Sequence, residues 1–582
     1  MSRCPPDADT PVSRRALLGA AAAGLAFSTS GCMDVVESAV NGTQTERSSI
    51  SIATVPADGD REGVQLARSL ARRLEAVGLA VDLEYLSPVE FHRAVLLDGE
   101  FDCYVGRHPG ETDPDFLYEV LHSQYADESG WQNPFGFTNT AVDELLEEQR
   151  RADGENRREA VADLLERFLE EQPFVPICVP DEVRVARSDR FDGWDADRLS
   201  TRLGLLGLET VDEETDLAAI VTDSRPSRNL NPLAAHYRDR GAIVDLLYDS
   251  LVIDAVDEYR PWLAASIEWT DGTAEVILRD DGRFHDGEPL TADDVAFTYR
   301  FLEDTTLGAD DVPSPPPRYR GLASMVDAVD VDDERHLSIT VDAGADVRER
   351  ALTVPVLPEH VWRDRVEEAT EEDPAVRQGR WEVLTDENVP AVGSGPFAFE
   401  ERSERDHLTL TRFEDHFTQA DDDLPELTAE TVRIDVDPGS LSAVERVDDG
   451  TADVTVSTLE THVLDEARDR EAVDVLSGSS PTFYYVGFDV RREPFTNPYV
   501  RRAVTGLLDA AWLVEDVFDG RATPVSAPLP DEWVPADLAY DDEHPISPFF
   551  GTDGELDVEA ARQAFESAGF RYDEERDRLV RR

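Results

Sequence analysis

Two hydrophobic periodicities alternate along the chain from residue 50 onward. Residues 52–55 and 81–86 have the apolar character of short strands, and residues 63–77 between them repeat apolar side chains at helical spacing. Residues 273–278 alternate like a half-buried strand. Further helices are predicted over 141–149, 157–170 and 293–302. Strands and helices that alternate in this way predict an α/β fold.

The N-terminal segment lacks this alternation and predicts an export signal. Arg14 and Arg15 precede an alanine-rich apolar run that is too short to span a bilayer, a pattern typical of twin-arginine signals. The run ends in small residues and Cys32, which resembles the site where lipoproteins receive a diacylglycerol. We therefore expect residues 1–32 to be a twin-arginine lipoprotein signal. Lipid on Cys32 would hold the protein on the extracellular face of the cell membrane.

Residues 33–49 are polar and aperiodic, which predicts a tether between the lipid and the fold. The tether contains Asn41-Gly42-Thr43, the sequence that accepts an N-linked glycan. On an exported chain this makes Asn41 a candidate glycosylation site.

Charge sets the environment and excludes one class of partner. The 582 residues include 125 acidic and 55 basic side chains, which gives a formal net charge of -70, and every basic residue is arginine. A surface this acidic repels nucleic acid and itself, and it needs dissolved cations to screen it, so we expect a halophilic protein. The 41% hydrophobic content is enough to bury cores.

Two cysteines fall within the predicted fold. Cys103 and Cys178 both lie in apolar, strand-like segments, where buried free thiols are common. An exported protein can also form a disulfide between them, and the sequence leaves both alternatives open.

Several blocks of the chain resemble family 5 extracellular solute-binding proteins, the dipeptide- and oligopeptide-binding subunits of ABC importers. These blocks are LAASIEW at 263–269, GRFHDGEPLTADDV at 282–295, GSGPF at 393–397 and FYYVGF at 483–488. The resemblance implies a two-lobed, periplasmic-binding-protein-like (type II) clamp with an extra domain.

The blocks occur in an order that differs from the family's. Segments like 101–106 and 173–177 lie near the C-terminus in the family, whereas here they come first. The segment that resembles the family's start, 229–233, follows only after about residue 216. Nothing is duplicated, so we interpret the order as a circular permutation with the old termini joined near residues 212–216, rather than as a fusion of two tandem copies.

The permutation predicts a discontinuous domain organisation. Residues 50–175 and 490–582 would together complete one lobe, the C-terminal type. Residues 176–260 and 389–489 would form lobe I, with the extra α/β domain over 261–388.

The resemblance implies ligand capture without catalysis. The chain would close on a peptide or other small polar solute and deliver it to a membrane permease with its ATPase subunits, as a monomer that needs no cofactor. A sensory receptor for a membrane signalling partner is the alternative, and an exported hydrolase is the third class. The chain has no Gly-x-Ser-x-Gly elbow and no glycine loop ending in Gly-Lys-Ser/Thr, which argues against a hydrolase and an ATPase.

Candidate ligand contacts begin after the strand at 101–105. Peptide-binding relatives have a Gly-Trp-x-x-Asp segment there, whose aspartate pairs with the peptide's α-amino group. Here Arg107 replaces the tryptophan, His108 follows, and glycine occupies the aspartate position. Either Glu111 or Asp113 takes over the amino group, or Arg107 binds a carboxylate or another anion through its bidentate guanidinium.

Three further candidates come from other blocks. Arg228 and Asn229 precede the start-like segment, and Tyr484 lies in the block at 483–488. Tyr484 and Tyr485 can either line the cleft or fill the core, and we expect one of the two to be a core residue.

Overall fold

Three β-sheets of four or more strands run through the described part of the chain. The computed structural model describes residues 49–581 except 200, 212–214, 239–241, 256–257, 373–379, 422–423 and 426. Residues Ser48–Arg582 form one compact unit.

The six-stranded sheet combines strands from both ends of the chain. Its first three strands are parallel and the other three are antiparallel to their neighbours. In spatial order they are Ala80–Tyr85, Ser49–Thr54, Cys103–His108, Phe483–Phe488, Phe174–Pro180 and Ala522–Pro524.

The seven-stranded sheet has a parallel centre and antiparallel flanks. Strand Asp216–Val221 is parallel to both of its neighbours, Thr431–Val436 and Val454–Thr455. The spatial order is Phe397–Ser403, His407–Arg412, Thr431–Val436, Asp216–Val221, Val454–Thr455, Glu182–Ala186 and Asp474–Gly478.

An antiparallel four-stranded sheet lies within the segment predicted as the extra domain. Its strands, in spatial order, are Ala264–Thr270, Thr273–Leu278, His336–Val341 and Val326–Val331. Helix Ala292–Glu303 packs on it, and its buried side chains share one apolar core with the seven-stranded sheet. The α/β fold class and the predicted strand at 273–278 are confirmed.

Helices cover both faces of the six-stranded sheet. Helix Arg61–Val77 lies on one face; it starts where the Asp60 carboxylate accepts a hydrogen bond from the Gly63 amide, 2.8 Å long. It ends at Gly78, whose φ of 102° is left-handed and favours glycine. Helices Thr140–Arg151 and Gly154–Glu171 pack on the other face.

The remaining helices and short hairpins connect these layers. The α-helices are Pro88–His92, Phe116–Leu121, Arg225–Arg228, Ala242–Leu247, Arg320–Ala323, Glu359–Glu372, Glu382–Thr385, Ser440–Asp448, Leu464–Arg468, Pro498–Thr505, Ala510–Phe518 and Val558–Ser567, and Arg93–Asp98 is a π-helix. The 3₁₀-helices are Ser123–Tyr125, Arg202–Gly204, Arg348–Thr353, Phe417–Gln419, Thr461–Val463 and Asp531–Trp533. The hairpins are Val252–Asp254 with Tyr259–Pro261, Phe191–Asp192 with Glu209–Thr210, Gly551–Thr552 with Glu555–Leu556, and Phe570–Asp573 with Arg578–Arg581.

The C-terminal segment packs against the N-terminal part of the fold. The Leu579 amide donates to the Gly78 carbonyl at 2.8 Å, and the Arg562 guanidinium donates to the Val77 carbonyl at 3.2 Å. Ser49 pairs with Ala80, so the start and the end of the described chain meet at the same turn.

The chain crosses between the six- and seven-stranded sheets at positions that differ from the predicted limits. Strand Phe174–Pro180 continues past residue 175, and Phe483–Phe488, assigned to lobe I within 389–489, belongs to the six-stranded sheet. The reason is pairing: Phe483–Phe488 lies between Cys103–His108 and Phe174–Pro180 and hydrogen-bonds to both. The crossings are therefore at 181 and 479–482.

The two cysteines of the described chain are free thiols. Cys103 and Cys178 are both fully buried, and burial raises the pKa of each thiol. The free-thiol alternative therefore holds and the disulfide does not.

Within the described residues, no helix is both long enough and apolar enough to cross a bilayer. Cys32 and Asn41, the predicted lipidation and glycosylation sites, lie outside the described residues.

Candidate ligand-binding cavity

A cavity of about 200 Å³ lies between the six- and seven-stranded sheets. Both chain crossings reach it, because Pro180, Glu182 and Thr482 are part of its wall. The carboxyl ends of strands Cys103–His108 and Asp216–Val221 also reach it, which is the edge where open α/β sheets bind ligands.

The wall is contributed by both sheets and by the segment between 222 and 244. The six-stranded side supplies Arg107, Pro109, Pro180 and Thr482; the seven-stranded side supplies Glu182, Arg184, Val221, Val456, Ser457 and Thr458. The remaining wall residues are Thr222, Asp223, Pro226, Asn229, Leu230, Arg238, Ala242, Ile243 and Val244.

Arg107 extends into the cavity from the end of its strand. About 34% of its side chain is exposed, and its Nε lies 3.7 Å from the Asp60 carboxylate. Asp60 also caps helix Arg61–Val77 and accepts a 2.9 Å hydrogen bond from the Tyr484 hydroxyl. Arg107 is thus oriented by a carboxylate that has other partners.

Glu182 and Arg184 form an ion pair next to the first crossing. Arg184 Nη2 donates to Glu182 Oε2 at 2.6 Å, and Arg184 Nε donates to the Val456 carbonyl at 2.8 Å. The pair joins the strand after the crossing to the centre of the seven-stranded sheet.

Asp223 binds a second arginine, Arg225, which extends from the side of the seven-stranded sheet to the side of the six-stranded sheet. Asp223 Oδ2 accepts a 2.7 Å hydrogen bond from Arg225 Nε. Arg225 Nη1 lies 2.9 Å from His92 Nδ1, at the end of helix Pro88–His92. Polar side chains from the two sides therefore also contact each other behind the cavity wall.

Arg238 and Arg184 are the most deeply buried charged residues in the cavity wall. Only 4% of each residue is exposed, and the guanidinium of Arg238 donates to the carbonyl of Asn229. Burial, and then the neighbouring Arg318, lower the pKa of Arg238 to about 9. Burial, and then electrostatic interactions with His92 and neighbouring arginines, also lower the pKa of His236 to about 4.

Two predicted ligand residues are instead part of the core. His108 is 5% exposed and stacks on Phe483 at a centroid distance of 5.1 Å, because it follows Arg107 on the strand and points to the opposite face. Tyr484 is 3% exposed, and burial raises the pKa of its hydroxyl. Tyr485 is buried as well, so both tyrosines fill the core rather than one.

Glu111 and Asp113, the alternative amino-group partners, lie outside the cavity wall and are held by arginines. Glu111 pairs with Arg350. Asp113 accepts hydrogen bonds from Arg157 at 2.6 and 3.0 Å and lies 3.3 Å from Arg350. Burial alone would raise the pKa of Asp113, but Arg350 and Arg157 outweigh it and lower that pKa.

Of the last two candidates, Asn229 lines the cavity and Arg228 does not. The Asn229 side chain is occupied: it donates to the Asp386 carbonyl at 3.0 Å and accepts from the Asn231 amide at 2.8 Å. The guanidinium of Arg228 lies over the ring of Tyr237, 5.8 Å from its centroid.

The structure thus brings together Arg107 and Asn229 from the predicted set, and adds Glu182, Arg184 and Arg238, which sequence reasoning missed. These three residues belong to no local sequence motif, and only the tertiary fold brings them to the same cavity. Among the described residues, no group of three or more histidine, cysteine or acidic side chains is arranged to hold a metal ion.

Comparison with known proteins identifies the family of this chain. Residues 258–580, more than half of the chain, match the family described as bacterial extracellular solute-binding proteins, family 5 Middle. The chain is 26% identical to the oligopeptide-binding protein AppA of Bacillus subtilis over 260 residues. This match covers 44% of this chain and 43% of AppA. The chain is 26% identical over 140 residues to the glutathione-binding protein GsiB of Pectobacterium atrosepticum, covering 24% and 26% of the two chains.

The matched part therefore spans less than half the length of these curated relatives. Among solved structures, AppA of Bacillus subtilis in complex with a nonapeptide has a TM-score of 0.45 at 21% identity, covering 61% of this chain and 64% of AppA. DppA of Helicobacter pylori in complex with the peptide STSA has a TM-score of 0.46 at 16% identity, covering 61% and 66%.

Proposed function

Because the chain belongs to family 5 of the bacterial extracellular solute-binding proteins, we propose that it captures a peptide or similar small polar solute and delivers it to an ABC importer. The observation that carries the proposal is the cavity between the two larger sheets, which is lined by both polar and apolar residues of the two sheets. A site of this kind binds a ligand without needing a catalytic group.

The two crossings give this cavity a mechanism for closing. Phe174–Pro180 and Phe483–Phe488 pair in the six-stranded sheet, and their continuations Glu182–Ala186 and Asp474–Gly478 pair in the seven-stranded sheet. Backbone rotation at 181 and 479–482 would move one sheet relative to the other, as in hinge closure. A ligand that contacts Arg107 on one side and Ser457 on the other favours the closed state, since it binds that state more tightly.

Peptides are the proposed ligand class because of the relatives' names and because the wall offers both polar and apolar contacts. AppA is named as an oligopeptide-binding protein and GsiB as a glutathione-binding protein. The cavity volume of about 200 Å³ lies below the roughly 300–1,000 Å³ of pockets for drug-sized ligands, so the bound solute would be short.

Export, anchoring and delivery complete the proposal. The twin-arginine signal would export the folded chain, lipid on Cys32 would hold it at the extracellular membrane face, and the tether with Asn41 would separate fold from membrane. An anchored monomer could then present its ligand to a permease whose ATPase subunits drive uptake.

Mass spectrometry of released small molecules tests the function. The signal-free protein would be purified from its native host in high salt and denatured, and each released compound would then be added back in a thermal-shift titration. A genuine ligand raises the melting temperature with concentration, because it binds only the native state. Absence of any released compound, together with no shift from a panel of di- to pentapeptides, would refute the proposal.

A matched pair of variants ties the binding to this cavity. Ile243→Trp places a large ring in the cavity wall and should abolish the thermal shift. Ile277→Trp makes the same change at an exposed position of the four-stranded sheet and should leave the shift unchanged. Equal shifts in the two variants would place the ligand elsewhere.

A further inference from the structure

The charges of the cavity wall point to one chemical class of ligand. We infer that the solute carries a carboxylate or similarly compact anion, which Arg238 binds from the depth of the cavity and Arg107 from its six-stranded side. This inference rests on the proposed function and specifies its ligand.

The wall reverses the charge balance of the chain. Acidic residues outnumber basic ones 125 to 55 over the whole sequence, whereas the described wall contains three arginines and two carboxylates. Arg107 lies near Asp60 and Arg184 pairs with Glu182, so Arg238 is the wall arginine that shifts the charge balance. The positive potential of Arg238 attracts anions that the acidic surface of the protein repels.

The two wall carboxylates are already committed to arginines. Glu182 pairs with Arg184 at 2.6 Å, and Asp223 pairs with Arg225 at 2.7 Å. A ligand ammonium would have to compete with these internal pairs. The chemistry of the described wall therefore suits an anion better than a cation.

Arg238 supplies the specific anion contact. It is more than nine-tenths buried and lines the cavity, and its described hydrogen bonds go to the carbonyl and side-chain oxygens of Asn229. Its Nε has no hydrogen-bond partner within the described structure. A buried guanidinium with an open donor is costly unless an acceptor reaches it, and a ligand carboxylate would supply that acceptor.

The groups behind Arg238 strengthen the positive potential. Arg318 and Arg225 lie in the same buried region and add positive charge, whereas His236, whose pKa burial lowers to about 4, is neutral near pH 7. Asp245, which is also buried nearby, is an acidic group that faces Arg318 and Arg238. Arg107 adds the charge from the opposite sheet, so that an anion between Arg107 and Arg238 would contact both lobes.

Three probes test the inference: trialanine, trialanine amide and glutarate, each titrated calorimetrically in about 2 M KCl. The amide differs from trialanine only by lacking the carboxylate. We expect trialanine to bind the unaltered protein at least tenfold more tightly than its amide, since a hydrogen bond to a charged group contributes more than a neutral one. High salt reduces long-range attraction but screens a buried contact much less.

Variants assign the effect to Arg238. Arg238→Gln should bring the difference between acid and amide below threefold, Arg238→Lys should retain part of it, and Arg61→Gln, at an exposed helix start, should leave it unchanged. Because Arg238→Gln removes a buried charge, its melting temperature without ligand should stay equal or rise, which a purely structural role would not produce.

Each outcome decides the matter. Equal binding of trialanine and its amide, or a preference that survives Arg238→Gln, overturns the inference while ligand capture stands. Binding of glutarate alone, lost in Arg238→Gln, supports the inference and refutes the peptide class. Binding of none of the three probes overturns the inference, and mass spectrometry of the released compounds then decides the proposed function separately.

Discussion

At the scale of single residues, Asp113 has a structural role that can be measured. Its carboxylate is held by Arg157 and Arg350, away from the cavity wall. Asp113→Asn keeps the size but removes the charge, and breaking a buried ion pair costs about 3–5 kcal/mol. We expect the free energy of unfolding in urea to fall by about 3 kcal/mol while ligand affinity is unchanged.

The pH dependence of the unfolding free energy provides the control for Asp113→Asn. Because the folded protein lowers the pKa of Asp113, its stabilisation is present above the unfolded-state pKa and is lost as the pH falls through the lower folded pKa. The difference between native and variant stability should therefore shrink below about pH 4. If Asp113→Asn had normal stability and weakened ligand binding, Asp113 would be a ligand contact instead of a structural residue.

Glu119 should make stability fall as the pH rises. Burial raises the pKa of Glu119 to about 7, and its Oε1 lacks a hydrogen-bond partner within the described structure. Glu111 raises this pKa further, whereas a hydrogen bond from the Gly321 backbone and the charges of Arg318 and Arg350 lower it. The folded state therefore holds a proton that the unfolded state releases near pH 4.5.

That difference is worth about 3 kcal/mol between pH 4.5 and pH 7, and it is lost as the pH rises through this window. Glu119→Gln should remove this slope from the urea-unfolding free energy at constant KCl. The exposed substitution Glu155→Gln should leave the slope as it is. Parallel pH profiles for the native protein and Glu119→Gln would contradict the assignment.

Residue-level function was the least predictable part of the sequence. Arg107 and His108 are neighbours, yet one faces the cavity and the other the core, because successive strand residues alternate between faces. Sequence spacing could not say which face was buried. Arg238 was missed for a related reason: its importance comes from Asn229 and from distant cations that only the fold brings together.

At the scale of elements, periodicity was a reliable guide. The helix predicted over 63–77 is Arg61–Val77, and the strand predicted over 81–86 is Ala80–Tyr85. Both have a strong apolar pattern with clear ends. The crossings at 181 and 479–482 were not predictable, since strands on either side of a crossing have the same buried character whichever sheet they join.

The two cysteines beside strand Phe483–Phe488 allow a direct test of how the six-stranded sheet is paired and covered. Cys103 pairs with Phe488 and Cys178 with Tyr484, so the two thiols flank this strand. Both thiols are fully buried and their pKa values are raised by burial. In protein beginning after Cys32, we expect a maleimide reagent to label neither thiol in the native state and both in urea.

A chain truncated after Arg492 lacks the C-terminal segment that packs on helix Arg61–Val77. Both thiols should become reactive in this truncated chain, since the packing that covers one face of the sheet is lost. Native labelling of the full chain would contradict the burial of the two thiols, and protection in the truncated chain would contradict the covering role of the C-terminal segment.

At the scale of the whole molecule, charge should make stability depend on salt. The net charge of -70 repels itself within the folded state, and raising KCl from about 0.1 M to about 3 M shortens the screening length from about 10 Å to below 3 Å. Exposed pairs such as Arg151–Asp342 contribute only about 0–1 kcal/mol each, so their weakening costs little.

We therefore expect the melting temperature to rise steadily with KCl. Choline chloride at equal ionic strength controls for effects specific to potassium, and sucrose controls for preferential exclusion from the surface. A melting temperature that is constant or falls with salt would refute the halophilic interpretation.

The order of the family motifs predicts a circular permutation, and the position of the chain ends makes this prediction testable. Ser49 pairs with Ala80, and Leu579 hydrogen-bonds to Gly78, so a short linker can join residue 581 to residue 49. Opening the joined chain between Asp212 and Glu213 would restore the family's order of segments.

The relinked chain should fold with nearly the same melting temperature and ligand affinity, because the described residues that flank the opening, Val211 and Asp216, are exposed and a cut between exposed residues leaves most core contacts intact. The control uses the same linker but opens the chain within strand Cys103–His108, at the centre of the six-stranded sheet, and should not fold. If the chain opened at 212 were as unstable as this control, the present order of segments would be necessary for folding, and residues 212–216 would not be a junction of former termini.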